Sequence, residues 1–422
     1  MNPILFSLLV TLLFAGARFD EEEAPSDPIL ADDVADHVDV LASDLFEGRH
    51  AGMKGERRAA GYIVSLLEEY DAIEPGGEEG TWFQSFDVQI PTEEGGRETA
   101  AARNVIALLR GSDPDLADEF IVIGAHYDHV GYGRSGNALD LVESIHNGAD
   151  DNASGSSAVL ELAAAFATSP TKPRRSLLFQ WYSGEELGLI GSKYYAANPL
   201  HSLDDTIFML NMDMVGRLTG RTLLVGGTGS SPGFADMVEG LAPDLNLKLK
   251  LDPSGSAPSD NTSFYAKKIP VLFLFTGLHD DYHQATDDPH LVNMDGVADI
   301  AKLAYGVVRA VDALEERPEF VLAPGDAEMW RPVPYLGVEF LDSDEGVEVA
   351  VVVPGFPASL AGIEEGDLVL SIDGTEVVNA TTLRAAVKRL APEIPPIELV
   401  VLKGGKEGDE NRRTLTIQAI VR

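Results

Sequence analysis

Nine histidines are spread over 422 residues, and three of them stand where an apolar run gives way to acid. EFIVIGA ends in His126-Tyr127-Asp128, and IPVLFLFT runs into Gly277-Leu278-His279-Asp280-Asp281-Tyr282-His283. Two further apolar runs end in acid, RSLLFQWY in Ser183-Gly184-Glu185-Glu186 and TIFMLNMD in Asp213. A Gly-flanked loop, HNGADDNASG, adds the adjacent pair Asp150-Asp151 just before the apolar stretch SSAVLELAAAFA. Imidazole and carboxylate together suit hard-to-borderline divalent cations; imidazole suits zinc, and the same donors also permit manganese or cobalt. A carboxylate in such a loop is well placed to bridge two cations, which would offset the like-charge repulsion of the pair. In Glu185-Glu186 the adjacent acids point in different directions, which suits one ligand and one base.

These residues need elements that bring them together. The runs RNVIALL, EFIVIGA, RSLLFQWY, TIFMLNMD and IPVLFLFT are almost continuously apolar, as in strands covered on both faces. Helical patterns lie between them near 156–168, 187–197, 233–243 and 293–315, and earlier across 28–70, where Ile63, Leu66, Leu67 and Tyr70 keep helical spacing. Strands alternating with helices predict an α/β fold with a mainly parallel central sheet and helices on both faces. In such sheets ligands bind beyond the carboxyl ends of the strands, where the His and acid residues stand. The pattern also predicts that Glu185 and Glu186 lie at the start of a helix over LGLIGSKYYAA.

The chemistry has limits set by composition. The chain has no cysteine, which excludes disulfides, thiol catalysis and Cys-ligated metal. Asp and Glu number 69 against 31 Lys and Arg, a formal net charge of −38, which argues against a nucleic-acid partner. The first residues read as a signal peptide over 1–17, with an apolar core from Ile4 to Phe14 and Ala15-Gly16-Ala17 as the cleavage pattern. The stretch before that core has no Lys or Arg, which departs from the usual pattern. Export to the periplasm, cell surface or medium follows as an expectation, with no stable membrane span. A catalytic domain is expected over 25–315. Residues 316–334 carry four prolines and little periodicity, the texture of a linker. A small β-rich domain, with one helix at TLRAAVKRLA, is expected over 335–420.

In order along the chain, GAHYDHVG, NGADDNASG, SGEELGLIGS, NMDMVGR and SDNTSFYAKKIPVLFLFTGLHDDYHQATDD resemble the motifs of the secreted di-zinc aminopeptidases, metallopeptidase family twenty-eight. The resemblance covers roughly residues 30–315. It implies a zinc-exopeptidase-like fold and two Zn2+ per chain. It assigns His126 and Asp213 to one zinc, Glu186 and His283 to the other, and Asp151 to both. Glu185 is implied as general base, Asp128 as the residue that orients His126, and Tyr282 as an oxyanion partner. A cis peptide bond after Asp151 is also implied. The implied activity is removal of N-terminal residues from peptides with a free amine. Related carboxypeptidases, dipeptidases and glutaminyl cyclases, or a non-catalytic peptide-binding protein, are the alternatives. Related chains often read SDH where this one has Ser259-Asp260-Asn261, and the insertion YGRSGNALDLVESI is longer than the minimal family loop. The C-terminal part resembles a PDZ domain, with Tyr335-Leu336-Gly337-Val338 as its carboxylate-binding loop and GFPASLAGIEEGDLVLSIDG as the following helix and strand. That implies capture of a C-terminal peptide at a sheet edge.

Overall fold

A computed structural model describes residues 29–91, 97–133, 137–140 and 143–324. Beyond these it describes 326, 334–336, 338–343, 346–352, 357–380, 382–383, 396–405, 411–417 and 420–421. The expected signal peptide at 1–17 therefore lies outside the described residues, as do Gly337, most of the predicted helix TLRAAVKRLA, much of the predicted linker and parts of the insertion. The chain divides into two compact units, one up to Val321 and one from Leu322.

The first unit is built on a nine-stranded sheet among the described residues. Its centre is four parallel strands in the order β5 (Ser176–Tyr182), β4 (Phe120–His126), β6 (Thr206–Met212) and β9 (Val271–Phe275). These are the apolar runs seen in the sequence, and β5 and β6 are buried along their whole length. Successive side chains serve opposite faces. Ile121, Ile123, Leu177, Phe179 and Trp181 join one core with α1 (Ala31–Leu41), α2 (Lys54–Leu67), α3 (Gly155–Thr168) and α7 (Met294–Asp312). Val122, Leu178 and Met209 join the other, with Tyr195 of α4 (Ile190–Ala197) and Phe264 and Tyr265 of α6 (Asn261–Tyr265). Helices thus cover both faces.

The flanks add antiparallel strands to the expected parallel centre. On one side β3 (Arg97–Leu109) runs antiparallel to β5 and pairs antiparallel with β1 (Ile73–Pro75) and β2 (Phe83–Pro91). On the other β7 (Thr222–Gly226) runs antiparallel to β9, while β8 (Lys248–Leu251) is parallel to β7. The sheet is mixed, with a parallel centre. Between β7 and β8 lies α5 (Phe234–Leu241).

The second unit is β-rich. Its sheet runs β11 (Val338–Ser343), β12 (Gly346–Val352), β13 (Leu368–Ile372), β15 (Ile397–Leu402) and β16 (Arg412–Ile417), all antiparallel, with β14 (Thr375–Glu376) on β13. A separate short pair joins β10 (Pro334–Tyr335) and β17 (Ile420–Val421). Val347, Val349, Ile372, Leu399 and Val401 fill its core.

Candidate metal centre

The carboxyl ends of the four central strands converge on one acidic cluster. His126 is the last residue of β4, Asp213 follows β6, and Glu185 and Glu186 follow β5. The loop after β9 supplies His279 and His283, and the loop entering α3 supplies Asp150 and Asp151. Glu185 and Glu186 are not at a helix start as expected. Gly184 and Gly188 take positive φ, Leu189 adopts a left-handed conformation (φ 60°), and α4 begins only at Ile190.

Asp151 is the shared member. His126 Nε2 is 3.3 Å from Asp151 Oδ1 and 3.3 Å from Asp213 Oδ1. His283 Nε2 is 3.2 Å from Asp151 Oδ2 and 3.0 Å from Glu186 Oε2. The two Asp151 oxygens therefore face different histidines. Donors bound tetrahedrally at zinc distances stand about 3.3 Å apart, so both sets match the edges of a zinc polyhedron. His126, Asp151 and Asp213 offer ligand atoms within 4.8 Å of one another, as do His129, Asp151 and Glu186. The imidazole and carboxylate donors fit a borderline divalent ion. His129 was not read from the sequence as a site residue. The available signal was its place three residues after His126 in HYDH.

Asp150, although adjacent, turns elsewhere. Its Oδ1 accepts from Gly216 N at 2.6 Å and from Ser154 Oγ at 3.0 Å. The Asp151–Asn152 peptide bond is cis. Asn152 fastens this loop to β6 by donating to Met212 O (3.1 Å), and its Oδ1 accepts from Met214 N and Gly155 N. Buried Asp287 holds the other side, its Oδ2 accepting the amides of Asp150 (2.9 Å) and Asp151 (3.0 Å) and its Oδ1 pairing with Arg217 at 2.9 Å. Buried Arg49 donates to the carbonyls of Leu41, Tyr127, Asn147 and Gly148 at 2.6–2.8 Å, joining α1, the end of β4 and the loop. Ser259 donates to Asp213 Oδ2 at 2.6 Å. Asn261, where related chains carry His, is buried and donates to Gly255 O, away from Asp213.

Asp128 acts differently from the expectation. His126 Nδ1 lies 3.2 Å from the Asp128 carbonyl and 3.8 Å from its carboxylate. The carboxylate instead accepts the Glu185 amide at 3.1 Å, tying the β4 end to the Glu185 turn. Tyr282 stacks its ring on His283 at 3.9 Å between centroids.

Burial pushes the Glu185 carboxyl well above the usual carboxylate range; His126 opposes this, while Glu186, Asp213 and Asp260 add to it. Burial pushes Asp128 up to about 8. Burial would also raise Asp151, but hydrogen bonds from His126 and His283 hold it well below its ordinary value.

Residues 104–308 match the signature of Peptidase family M28 and residues 334–411 that of the PDZ domain. The chain thus carries an M28 peptidase domain followed by a PDZ domain. The curated relatives include leupeptin-inactivating enzyme 1 of Streptomyces exfoliatus, 32% identical over 42% of this chain and 36% of that protein. Leucine aminopeptidase 1 of Trichophyton rubrum is 31% identical over 37% of this chain and 43% of its own length. The chain therefore spans less than half of either relative. Among solved structures, a zinc aminopeptidase from Bacillus subtilis matches with TM-score 0.53 and 16% identity, covering 70% of this chain and 99% of that one. A glutaminyl cyclase from Porphyromonas gingivalis matches with TM-score 0.54 and 18% identity, covering 67% and 99%. At these identities the structures share the fold and nothing more specific.

Proposed function

We propose that this chain is a zinc-dependent aminopeptidase that removes N-terminal residues from peptides. The observation that carries the reading is the divided Asp151 carboxylate, one oxygen toward His126 and the other toward His283. It is supported by the M28 domain and by relatives named as leucine aminopeptidases. His126 and Asp213 would hold one zinc, Glu186 and His283 the other, with Asp151 common to both. Zinc bound there supplies Lewis acidity, polarising the scissile carbonyl and lowering the pKa of water toward neutrality.

The chain's own residues carry the proton. Glu185 takes a proton from water as the water oxygen bonds to the carbonyl carbon. It then gives that proton to the leaving nitrogen as the C–N bond breaks. Tyr282 donates to the carbonyl oxygen as negative charge develops there. Asp128 fixes Glu185 through the backbone amide. The PDZ domain captures C-terminal peptide segments, and the apolar start of the chain directs export.

The test uses one peptide, free and N-acetylated, with the zinc-loaded chain and a Glu185→Gln control. Stepwise shortening of the free peptide alone, lost in Glu185→Gln with zinc content unchanged, is the expected outcome. Cleavage of both forms would point to an endopeptidase or carboxypeptidase. Cyclisation of an N-terminal glutamine without cleavage would point to the cyclase relatives.

A further inference from the structure

We infer that His129 is a positioning residue for Glu186, an inference that rests on the proposed metal reading. The Glu186 carboxylate is divided between two imidazoles. Its Oε1 is 2.9 Å from His129 Nδ1, and its Oε2 is 3.0 Å from His283 Nε2. Oε2 also accepts from Asn137 Nδ2 at 3.1 Å. A contact of 2.9 Å has the length of an N–H···O hydrogen bond. His129 Nδ1 is 3.8 Å from Asp151 Oδ2, longer than the ligand edges on the His283 side. His129 is therefore set to hydrogen-bond Glu186 rather than to join the ligands.

The tautomer follows from what surrounds the ring. Nε2 is buried with no partner. With the proton on Nδ1, the ring donates to Oε1 and leaves a bare nitrogen at Nε2. With the proton on Nε2, an N–H would be buried unpaired while the Nδ1 and Oε1 lone pairs faced each other. The second arrangement is the costlier. The ring has little freedom to escape this. It lies over Gly148, where an added Cβ would come within 2.4 Å of its Cδ2, and meets His283 edge-on at 5.7 Å between centroids. His129 thus holds Oε1 and turns Oε2 toward His283.

The test is zinc titration of the metal-free protein by calorimetry, with melting temperature followed with and without zinc. His129→Ala removes the donor. His129→Asn sets an amide N–H near the place of Nδ1. The expected result is two equivalents in the parent. In His129→Ala one site is unchanged and the other is weakened 10- to 100-fold, roughly the loss usual for partners of metal ligands. His129→Asn should restore the weak site to within about threefold of the parent, by the same hydrogen-bond logic. If Ala leaves the metal-free fold unstable, His129→Gln, whose amide reaches the Nε2 end, takes its place in the comparison. Unchanged affinity in the donor-less variant, or equal loss in Asn, overturns the role. Fewer than two equivalents in the parent overturns the metal reading itself.

Discussion

Asp287 touches none of the expected zinc donors through its side chain, yet its removal should disable both metal positions. Its Oδ2 accepts the amides of Asp150 and Asp151, and its Oδ1 pairs with Arg217. Hydrogen bonds to a charged acceptor contribute about 1.5–3 kcal/mol each, so two of them come to about 3–6 kcal/mol. Arg217 retains Asp281 at 3.2 Å, so its loss of Asp287 adds little. Partial relaxation of the loop brings Asp287→Ala to about 3–5 kcal/mol, the usual cost of breaking a buried charged network. Asp287→Asn keeps an acceptor oxygen but not the charge, and neutral bonds of about 0.5–1.5 kcal/mol each leave a loss nearer 2 kcal/mol. Urea unfolding of the metal-free protein at pH 7 measures both variants. Zinc calorimetry should then show both equivalents weakened in Asp287→Ala, because Asp151 serves both. His129→Ala, by contrast, should weaken one. Asp287→Ala within about 1 kcal/mol of the parent, with both zinc affinities intact, would refute the claim that this carboxylate holds the loop.

Three further outcomes are expected. Arg49→Lys should cost about 2–4 kcal/mol in urea unfolding, because an ammonium cannot fork to the four carbonyls that the guanidinium reaches; a loss below about 1 kcal/mol would contradict this. Gly148→Ala should abolish zinc binding in calorimetry, since φ is +57° and the new Cβ would lie 2.1 Å from the Asp151 carbonyl; parent-like titration would show that the loop yields. Glu56 is buried with its carboxyl raised by that burial, although Tyr127 and the Arg103 amide hydrogen-bond to it. The folded state therefore keeps this proton at pH values where the unfolded chain has released it, so stability falls as pH rises above the ordinary glutamate value. Glu56→Gln should gain stability relative to the parent at pH 8 compared with pH 5. An equal difference at both pH values would count against the burial argument.

The residues that meet in the acidic cluster were legible because the central strands are continuous apolar runs whose ends fall at one edge of the sheet. His126, Asp151, Glu186, Asp213 and His283 need only that edge and the loop into α3 to meet. The flanking strands were less legible. β8 reads KLKL, four residues with alternating exposure, and β2 alternates polar with apolar residues. Neither resembles the buried centre. The helix expected directly after Glu185–Glu186, from the helical composition of LGLIGSKYYAA, starts only at Ile190 because the left-handed Leu189 delays it. Arg49 and Asp287 carry no local pattern at all, and His129 only its place in HYDH. Each is defined by what the fold brings to it from distant segments.

The same reasoning explains why adjacent acids in a glycine-flanked loop do not behave as one charge. Burial raises the Asp150 carboxyl and so favours its neutral form, against the opposing pull of His279, whose Nε2 lies 3.1 Å from Oδ2. Gly216 and Ser154 anchor it away from the centre. Asp151 is held ionised by His126 and His283. Like charges one residue apart are thus reconciled by pointing them into opposite environments. One secures the loop and the other is left charged where cations would sit. A substitution at Asp150 should therefore register first in stability, and one at Asp151 first in metal binding.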